Sequence, residues 1–477
     1  MSDNGVSSLT GDRPTLSPQS LGNPDFRRDY NLKYNYLCGA MYKGISSVDM
    51  VVALGKADLM GFLGTGGMGL GEVDRSIVEI KRQLNHKPNY GVNLLNNPEN
   101  PDKEMKLVEL YLKHEVRYVE AAAYFKMSPA LVRYRLQGIR QQDGRVYSVN
   151  HVLAKVSRPE VAQEFMQPPP ESIVTALLHD GYITSEQAKL SQHIAMAQDI
   201  CVEADSGGHT DMGNAYVLMP AINSLRHTMN AKYHYQDPLR IGAAGGIGTP
   251  ESAAAAIMLG ADFIVTGSIN QCTVESGTST VVKDILQSIN VQDTEYAPAG
   301  DMFEIGAKVQ VVKKGVFFPA RANKLYELYK RHVSLDDVDE SSKRQIQQKY
   351  FKRSFETVWQ ETKNYYQNAA PQEIADIERN PKKKMALIFR WYFIHSTRLA
   401  MSGSKEQLVD YQIQCGPAMG AFNQWVKGTQ FEQWQARYVA DIAHMLMTET
   451  AKLLNTRFGQ LFNTSNLSTS NRIKEKA

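Results

Sequence analysis

The sequence has 477 residues, of which 43 % are apolar and 22 % are charged, and its formal net charge is +3. This balance is typical of a soluble globular protein, and the length allows a large barrel domain with a second domain appended. The small net charge gives no indication of nucleic-acid binding. No apolar run approaches the roughly 20 residues that span a bilayer, so we expect no membrane segment.

The cysteines and the N-terminus indicate a cytoplasmic protein with reduced thiols. The four cysteines lie far apart, without a CxxC pair or the spacing of metal ligands, so no metal site is predicted. Residues 1–23 are rich in Ser, Gly, Pro and Asp and lack the hydrophobic region of a signal peptide. They are predicted to form a flexible tail.

Between Tyr36 and Ser268 the chain alternates short apolar segments with amphipathic segments. Eight strands are predicted, at Leu37–Met41, Leu59–Gly64, Asn89–Leu95, Tyr118–Ala122, His151–Val156, Ile200–Ala204, Arg240–Ala244 and Phe263–Thr266. Helices are predicted after Ser47 and over Glu72–Leu84, Pro101–His114, Ser128–Ile139 and Pro250–Leu259.

This alternation predicts an α/β fold with a parallel sheet and right-handed crossovers. Eight units favour a closed (β/α)8 TIM barrel, whose active site lies at the carboxyl ends of the strands. An open doubly wound sheet is the alternative. The barrel is preferred because glycine and polar clusters follow at least five different strands.

The remaining segments suggest an appended α-helical subdomain. The fifth crossover contains Pro168-Pro169-Pro170 and two further predicted helices, Ser172–Leu178 and Ser185–Gln198. After Gly300 a short strand is predicted at Val309–Val312, followed by an aromatic-rich helical region. A final helix is predicted to begin in the Cys415–Trp425 segment and to run to about Leu454. The predicted parts are a flexible tail over 1–26, the barrel over 27–300, a helical substrate or cap subdomain over 301–410, a C-terminal helical segment returning to the barrel over 411–463, and a disordered tail over 464–477.

Two glycine-containing turns predict a phosphate site. Gly245-Gly246 follows the seventh predicted strand and precedes a helix that begins at Pro250, and Gly267-Ser268 follows the eighth. Backbone N–H groups at such positions attract anions, and barrels commonly bind phosphate after strands seven and eight. The alternative is a pair of ordinary turns.

His209 follows Gly207-Gly208 after the sixth predicted strand, which places an imidazole at the barrel mouth. It is interpreted as a catalytic residue, with a structural bond to Asp205 or Asp211 as the alternative. Glu203 and Asp205 alternate with apolar residues and are predicted to face the interior or the mouth. There they contact polar groups of a cofactor or pair with Lys155 on the preceding strand.

Three further features are less specific. Asn93, at the end of the third strand, suits either a heterocycle or phosphate contact or a turn. The Gly64–Gly71 segment resembles a dinucleotide-binding loop but lacks the downstream acidic residue. Three basic residues are predicted either to contact a phosphate or to form a solvated face: Lys313, Lys314 and Arg321. The run Lys382-Lys383-Lys384 is interpreted as solvated.

Taken together, these motifs resemble a flavin-dependent barrel family that includes nitronate monooxygenases and FMN-dependent enoyl-acyl-carrier-protein reductases. Within it, the chain from about Asn35 to Leu454 looks like the PfaD-type trans-acting enoyl reductases of polyketide and polyunsaturated fatty acid synthases. The motifs that carry the resemblance are Gly39-Ala-Met41, Gly64-Thr-Gly-Gly67, Gly91-Val-Asn93, Glu203-Ala-Asp-Ser-Gly-Gly-His209, Gly245-Gly-Ile, Gly267-Ser268, Phe317-Phe-Pro-Ala-Arg-Ala-Asn323 and Cys415-Gly-Pro-Ala-Met-Gly420.

The resemblance implies an FMN enzyme that uses NADPH or NADH to reduce enoyl thioesters carried by an acyl carrier protein. It implies His209 as the catalytic residue. The cofactor-binding residues expected with it are Ala40, Met41, Asn93, Lys155, Glu203, Gly207, Gly208, Gly245, Gly246, Gly267 and Ser268. The expected partners are the carrier protein and other synthase components, with a homodimer possible and no nucleic acid or membrane.

One departure separates this chain from the monooxygenases. They tend to carry a glutamine seven residues before the histidine, where this chain has Val202. This departure argues against a monooxygenase activity. Nitronate oxidation at the same flavin site is the alternative activity, and a non-catalytic assembly partner of a synthase is the alternative of a different class.

Overall fold

A closed barrel of eight parallel strands forms the centre of the computed structural model, which describes residues 15–369 and 371–474. Each strand pairs with its neighbours in sequence, and the eighth closes onto the first through Leu37 and Val265. The predicted TIM barrel is thus confirmed. The barrel strands are β1 Tyr36–Cys38, β2 Met60–Leu63, β3 Gly91–Leu95, β4 Tyr118–Ala122, β5 His151–Val156, β6 Asp199–Glu203, β7 Arg240–Ala244 and β8 Phe263–Thr266.

Seven helices follow the first seven strands and cover the outside of the barrel. They are α1 Val48–Lys56, α2 Leu70–Gln83, α3 Pro101–Lys113, α4 Pro129–Leu136, α5 Pro159–Met166, α6 Ala215–Tyr233 and α7 Pro250–Met258. Several begin with a capping side chain followed by proline, as at Asn100, Ser128 and Thr249. This arrangement satisfies free N–H groups of the first turn and fixes where the helix starts.

The C-terminal helix, Val439–Lys474, takes the place of the eighth barrel helix. It packs against α7 on one side and α1 on the other, and Val439, Ile442 and Leu446 are completely buried. Residues 267–438 are therefore inserted between β8 and the helix that completes the barrel. The single helix predicted from Cys415 onward is instead two helices, Ala418–Trp425 and Val439–Lys474.

The helical subdomain has its own aromatic core. Phe303, Phe318, Phe351, Tyr392 and Phe393 are buried within it. Its helices are Phe318–Arg331, Glu340–Gln345, Phe355–Ala369, Ile374–Arg379 and Pro381–Ser402, with a π-helical turn at Ile346–Phe351. The subdomain is joined to the barrel by an antiparallel pair of strands, Thr294–Pro298 with Lys308–Val312.

Shorter elements fill the connections. Helices outside the two sets above are Pro24–Asp29, Glu171–His179, Ser185–Leu190, Ser268–Gln271 and Thr280–Ser288. The 3-10 turns are Pro18–Ser20, Tyr42–Gly44, Ser191–His193, Pro371–Glu373, Lys405–Asp410 and Trp434–Ala436, and a small hairpin is formed by Arg140–Gln142 and Arg145–Tyr147.

The N-terminal segment closes the bottom of the barrel. Phe26, on the helix Pro24–Asp29, is completely buried and stacks on Phe263 with ring centroids 4.1 Å apart. The flexible tail predicted over 1–26 is therefore wrong for residues 18–26, while residues 1–14 lie outside the described residues. Aromatic packing against the strand ends holds this segment in place.

Three other expectations differ from the structure. The predicted helix Ser185–Gln198 ends at Leu190, and the N–H groups of Met196 and Ala197 donate to the carbonyls of Gln167 and Phe165 rather than within a helix. Helix α6 was not predicted. Disorder was predicted from 464, whereas the C-terminal helix continues to Lys474, and 475–477 lie outside the described residues.

No helix within the described residues is long and apolar enough to cross a membrane.

Candidate functional site

A cavity of about 1220 Å³ lies at the carboxyl ends of the barrel strands, between the barrel mouth and the helical subdomain. Its floor is formed by the loops after the strands. Its roof is formed by the helices Phe355–Ala369 and Pro381–Ser402. Every catalytic or cofactor-binding residue named from the sequence lines this one cavity.

The turn after β7 requires glycine at one position and leaves open space at the next. Gly245 has φ +87°, and a Cβ there would lie 2.3 Å from the carbonyl oxygen of Ala204. Gly246 also has positive φ, but a Cβ there would meet nothing within 4 Å. A Cβ on Gly267, whose φ is negative, would also meet nothing within 4 Å. The N–H groups of Gly246 and Gly267 donate to no acceptor in the described part of the chain. Both turns therefore offer free donors and room for an anion, which fits a phosphate group.

The Cys415-Gly-Pro segment contacts the loop after β6 and the loop after β8. A Cβ on Gly207 would lie 2.9 Å from the backbone nitrogen of Cys415, so only glycine allows this contact. The Gly416 N–H donates to Oγ of Ser268 at 3.1 Å, and the Cys415 N–H donates to the Gln310 carbonyl. These contacts show why this distant motif belongs to the site.

Two carboxylates hold Lys155 at the inner end of the cavity. Its Nζ lies 2.7 Å from Oε1 of Glu203 and 3.7 Å from Oε1 of Glu120. Burial alone would lower the pKa of Lys155, but the two carboxylates raise it well above its ordinary value. Burial raises the pKa of Glu120. The charge of Lys155 and the Ala40 N–H, which donates to Oε2 of Glu120 at 3.0 Å, partly oppose this rise. The predicted Lys155–Glu203 contact is present, so a fixed ammonium lies beside the cavity.

Glu120 was not predicted as a site residue. The signal available was a single carboxylate within the apolar strand Tyr118–Ala122. Its side chain is 1 % exposed and reaches the cavity between Ala40 and Lys155.

His209 binds neither of the carboxylates suggested by the sequence. Its Nε2 lies 2.9 Å from Oδ1 of Asp301, at the start of the segment that leads into the helical subdomain. Asp205 accepts from Tyr296 and Gln310 and so ties its loop to the strand pair, while Asp211 pairs with Arg158. The alternative structural bonds of His209 to Asp205 or Asp211 are thus wrong.

Asn93, Ala40 and Met41 offer only part of their polar groups to a ligand. The Asn93 amide donates to the Glu120 carbonyl at 3.1 Å, which directs its nitrogen into the barrel wall. The N–H of Ala40 donates to Glu120, and that of Met41 donates to Oγ of Ser46. At these three positions, a cofactor would meet the Asn93 side-chain oxygen and backbone carbonyls.

Two of the three basic residues considered for phosphate binding have partners within the protein. Lys314 donates to the Ser288 carbonyl, and Arg321 pairs with buried Asp410. Lys382 donates to the carbonyls of Tyr329 and His332, so it packs within the subdomain and is not part of a solvated run. Of the Gly64–Gly71 segment, Gly66 and Gly67 line the cavity, as part of a barrel loop.

The upper part of the cavity is lined by large apolar side chains that remain exposed. They come from the barrel loops and from both roof helices: Tyr42, Leu95, Phe125, Met212, Ile305, Tyr365 and Ile394. Such a lining suits an apolar ligand above a polar, charged floor.

Comparison with protein families places this geometry in a known context. Residues 30–313 match the model of the nitronate monooxygenase family. The chain belongs to that family. Residues 332–411 match a second model, the inserted helical domain of [acyl-carrier-protein] S-malonyltransferase, and they coincide with most of the helical subdomain.

Its curated relatives are components of polyketide and polyunsaturated fatty acid biosynthesis. The chain is 55 % identical to the polyketide biosynthesis protein PksE of Bacillus subtilis over 96 % of its own length and 60 % of PksE. It is 42 % identical to one polypeptide of the polyunsaturated fatty acid synthase of Thraustochytrium sp., over 86 % of its length and 28 % of that polypeptide. It thus spans less than two thirds of either relative.

A solved structure resembles the chain over both the barrel and the helical subdomain. The enoyl reductase domain of MlnA, from the macrolactin biosynthesis cluster of Bacillus amyloliquefaciens, superposes with a TM-score of 0.89 at 45 % identity. The match covers 92 % of this chain and 99 % of that domain. The resemblance to polyketide and polyunsaturated fatty acid synthase reductases is confirmed.

Proposed function

We propose that this protein is an FMN-dependent enoyl reductase that uses NADPH or NADH to reduce enoyl thioesters carried by an acyl carrier protein. The observation that carries the proposal is the similarity to the MlnA enoyl reductase domain across the whole site-forming part of the chain. The carrier protein and the other synthase components are proposed as partners, consistent with the names of the relatives.

The residues present fit FMN. Gly246 and Gly267 offer open space and free N–H donors to its phosphate. Lys155 would offer a positive charge to the flavin ring, and the Asn93 side chain would offer a polar atom, because both line the cavity. When bound, FMN would supply the chemistry of hydride transfer between the nicotinamide and the β-carbon of the unsaturated thioester.

The chain itself must stabilise the thioester oxygen and deliver a proton. The Gly208 N–H already donates to Oγ of Ser206 at 3.2 Å, which leaves the Gly207 N–H as the available donor for the oxygen. His209 lines the same cavity and carries an imidazole suited to proton transfer or to substrate positioning. The apolar side chains of the roof, such as Tyr365 and Ile394, would receive the acyl chain.

His209→Ala tests this assignment. The variant should retain bound flavin and its reduction by NADPH, because the histidine does not touch the glycine turns, and enoyl reduction should fall about 100-fold or more. A matched control is His179→Ala, whose exposed side chain lies on the helix Glu171–His179 outside the cavity. Full enoyl reductase activity in His209→Ala would contradict the assignment.

Nitronate oxidation is a second candidate, favoured by the family match of residues 30–313. Val202 stands where the monooxygenases tend to carry a glutamine. Its side chain is buried in the core and does not line the cavity. Oxygen uptake with a nitronate in the absence of NADPH would support this activity, and its absence alongside NADPH-dependent enoyl reduction would support the reductase.

A further inference from the structure

We infer that Asp301 is the positioning residue for His209: its carboxylate binds Nε2 of the imidazole and so leaves Nδ1 as the nitrogen that meets a ligand in the cavity. The Nε2 to Oδ1 distance is 2.9 Å. Within the described residues Nδ1 has no hydrogen-bond partner. This inference rests on the proposed function for its catalytic consequence, but the contact itself is a property of the chain.

The two residues come from different parts of the fold. His209 lies on the loop after β6, whereas Asp301 lies in the segment between the strands Thr294–Pro298 and Lys308–Val312. The preceding Gly300 packs directly on the subdomain, since a Cβ there would lie 2.7 Å from Cβ of Phe393. Docking of the subdomain on the barrel therefore places the carboxylate that orients the barrel histidine.

The charges around the pair favour an imidazolium beside a carboxylate. Burial alone would lower the pKa of His209, but the hydrogen bond and charge of Asp301, together with Glu203, raise it above its ordinary value. Burial would raise the pKa of Asp301, but His209 and Arg390 lower it. Tyr42 and Arg398 also lie near this pair. Burial and the charge of Asp301 raise the pKa of Tyr42 above its ordinary value, and the charge of Arg398 partly opposes this rise.

This arrangement makes the imidazolium of His209 available as a proton donor. In enoyl reduction the β-carbon gains a hydride as the nicotinamide is oxidised, and the α-carbon gains a proton. His209 would release that proton from Nδ1 and become neutral, to be reprotonated from water, while Asp301 stays ionised. The donor form is lost as pH rises through the raised pKa, so activity should fall on the alkaline side.

Asp301→Asn removes the charge and keeps an oxygen that accepts from Nε2–H. The pKa of His209 should fall, and the alkaline limb of enoyl reduction should move to lower pH. Above the pKa, each unit of this shift lowers the protonated fraction about tenfold. Flavin content and flavin reduction by NADPH should not change, and Asp301→Glu should restore part of the pH profile.

NMR titration of the histidine ring separates this inference from the proposed function. His209→Ala identifies the resonance, and its titration is compared between the unaltered protein and Asp301→Asn. Glu304→Gln is the matched control, because it neutralises a carboxylate of the same segment that contacts Arg390, not His209. A His209 titration unchanged by Asp301→Asn, or shifted equally by Glu304→Gln, would overturn the inference. If the shift occurs and the unaltered protein does not reduce enoyl thioesters, the proposed function fails and the pairing stands.

Discussion

At the scale of single residues, the site combines groups that local sequence reveals with partners that it does not. His209, Gly246 and Gly267 were predictable because a glycine that ends an apolar strand marks a loop at the barrel mouth. Glu120 and Asp301 were not, because each acquires its role from a contact distant in sequence, 80 positions for Glu120 with Ala40 and 92 for Asp301 with His209. Only the closed barrel and the docked subdomain bring these groups together.

The two glycine turns make opposite predictions for the same substitution. Gly245→Ala should destabilise the protein by more than the roughly 1–2 kcal/mol that positive φ costs an L-residue, because its Cβ would also meet the Ala204 carbonyl. Gly267 has negative φ, and a Cβ there would enter open space. Gly267→Ala should therefore change the free energy of unfolding of the flavin-free protein by less than about 0.5 kcal/mol.

Gly267→Ala should weaken flavin binding although it leaves stability nearly unchanged. A methyl group there enters the space assigned to the phosphate, so FMN affinity should fall at least tenfold while the flavin-free fold remains intact. Urea denaturation and fluorescence titration with FMN measure the two effects. Unchanged FMN affinity in Gly267→Ala would place the phosphate elsewhere.

At the scale of elements, the N-terminal helix Pro24–Asp29 seals the barrel bottom. Arg240, at the start of β7, binds buried Asp199 through Nε at 2.6 Å and reaches Asp29 through Nη1 at 2.7 Å. Its guanidinium lies over the ring of Phe26, 5.2 Å from the centroid. Tyr30 adds a hydrogen bond to the same Asp199. The buried charges are thus satisfied by the segment that covers them.

Phe26→Ala should therefore cost about 3–5 kcal/mol of unfolding free energy, because it removes a completely buried ring and leaves a cavity under Arg240. The matched control is Arg28→Ala on the same helix, whose ion pair with Asp25 is exposed and screened by solvent and should contribute little to stability. Urea denaturation measures both. Equal, small effects would show that this helix contributes little to the barrel.

The accuracy of element prediction follows from how each element is buried. The barrel strands are buried on both faces and appear as short apolar runs, so all eight were found with small errors at their ends. The strand Thr294–Pro298 was missed because its Thr-Glu-Tyr start is partly exposed and its pairing with Lys308–Val312 is antiparallel and tertiary. Packing between distant segments determines such elements, and periodicity does not report it.

At the scale of the whole molecule, the helical subdomain is an insertion between β8 and the helix that completes the barrel. The chain leaves the barrel after Thr266 and returns through Cys415 to the C-terminal helix. The subdomain is therefore attached at both ends and roofs the cavity. Contact with the roof helix Pro381–Ser402 begins before the subdomain itself, since Oγ of Ser279 donates to the carbonyl of Ala400.

If the roof receives the acyl chain, its exposed apolar side chains should affect long substrates most. Tyr365→Ala combined with Ile394→Ala should raise KM for a long-chain enoyl thioester several-fold and leave a short-chain substrate nearly unaffected, because each lost apolar contact weakens binding of the chain. Val333→Ala, an exposed apolar residue of the subdomain outside the cavity, is the control. An equal effect on both chain lengths would assign these residues a structural role.

The most direct test of the whole account is an anaerobic absorption titration of the purified protein reconstituted with FMN. We expect a flavin spectrum that NADPH bleaches and that an enoyl thioester then restores, with one equivalent of saturated thioester formed. Failure to bind FMN would contradict the cofactor site. Restoration by oxygen or a nitronate, but not by the enoyl thioester, would contradict the reductase function.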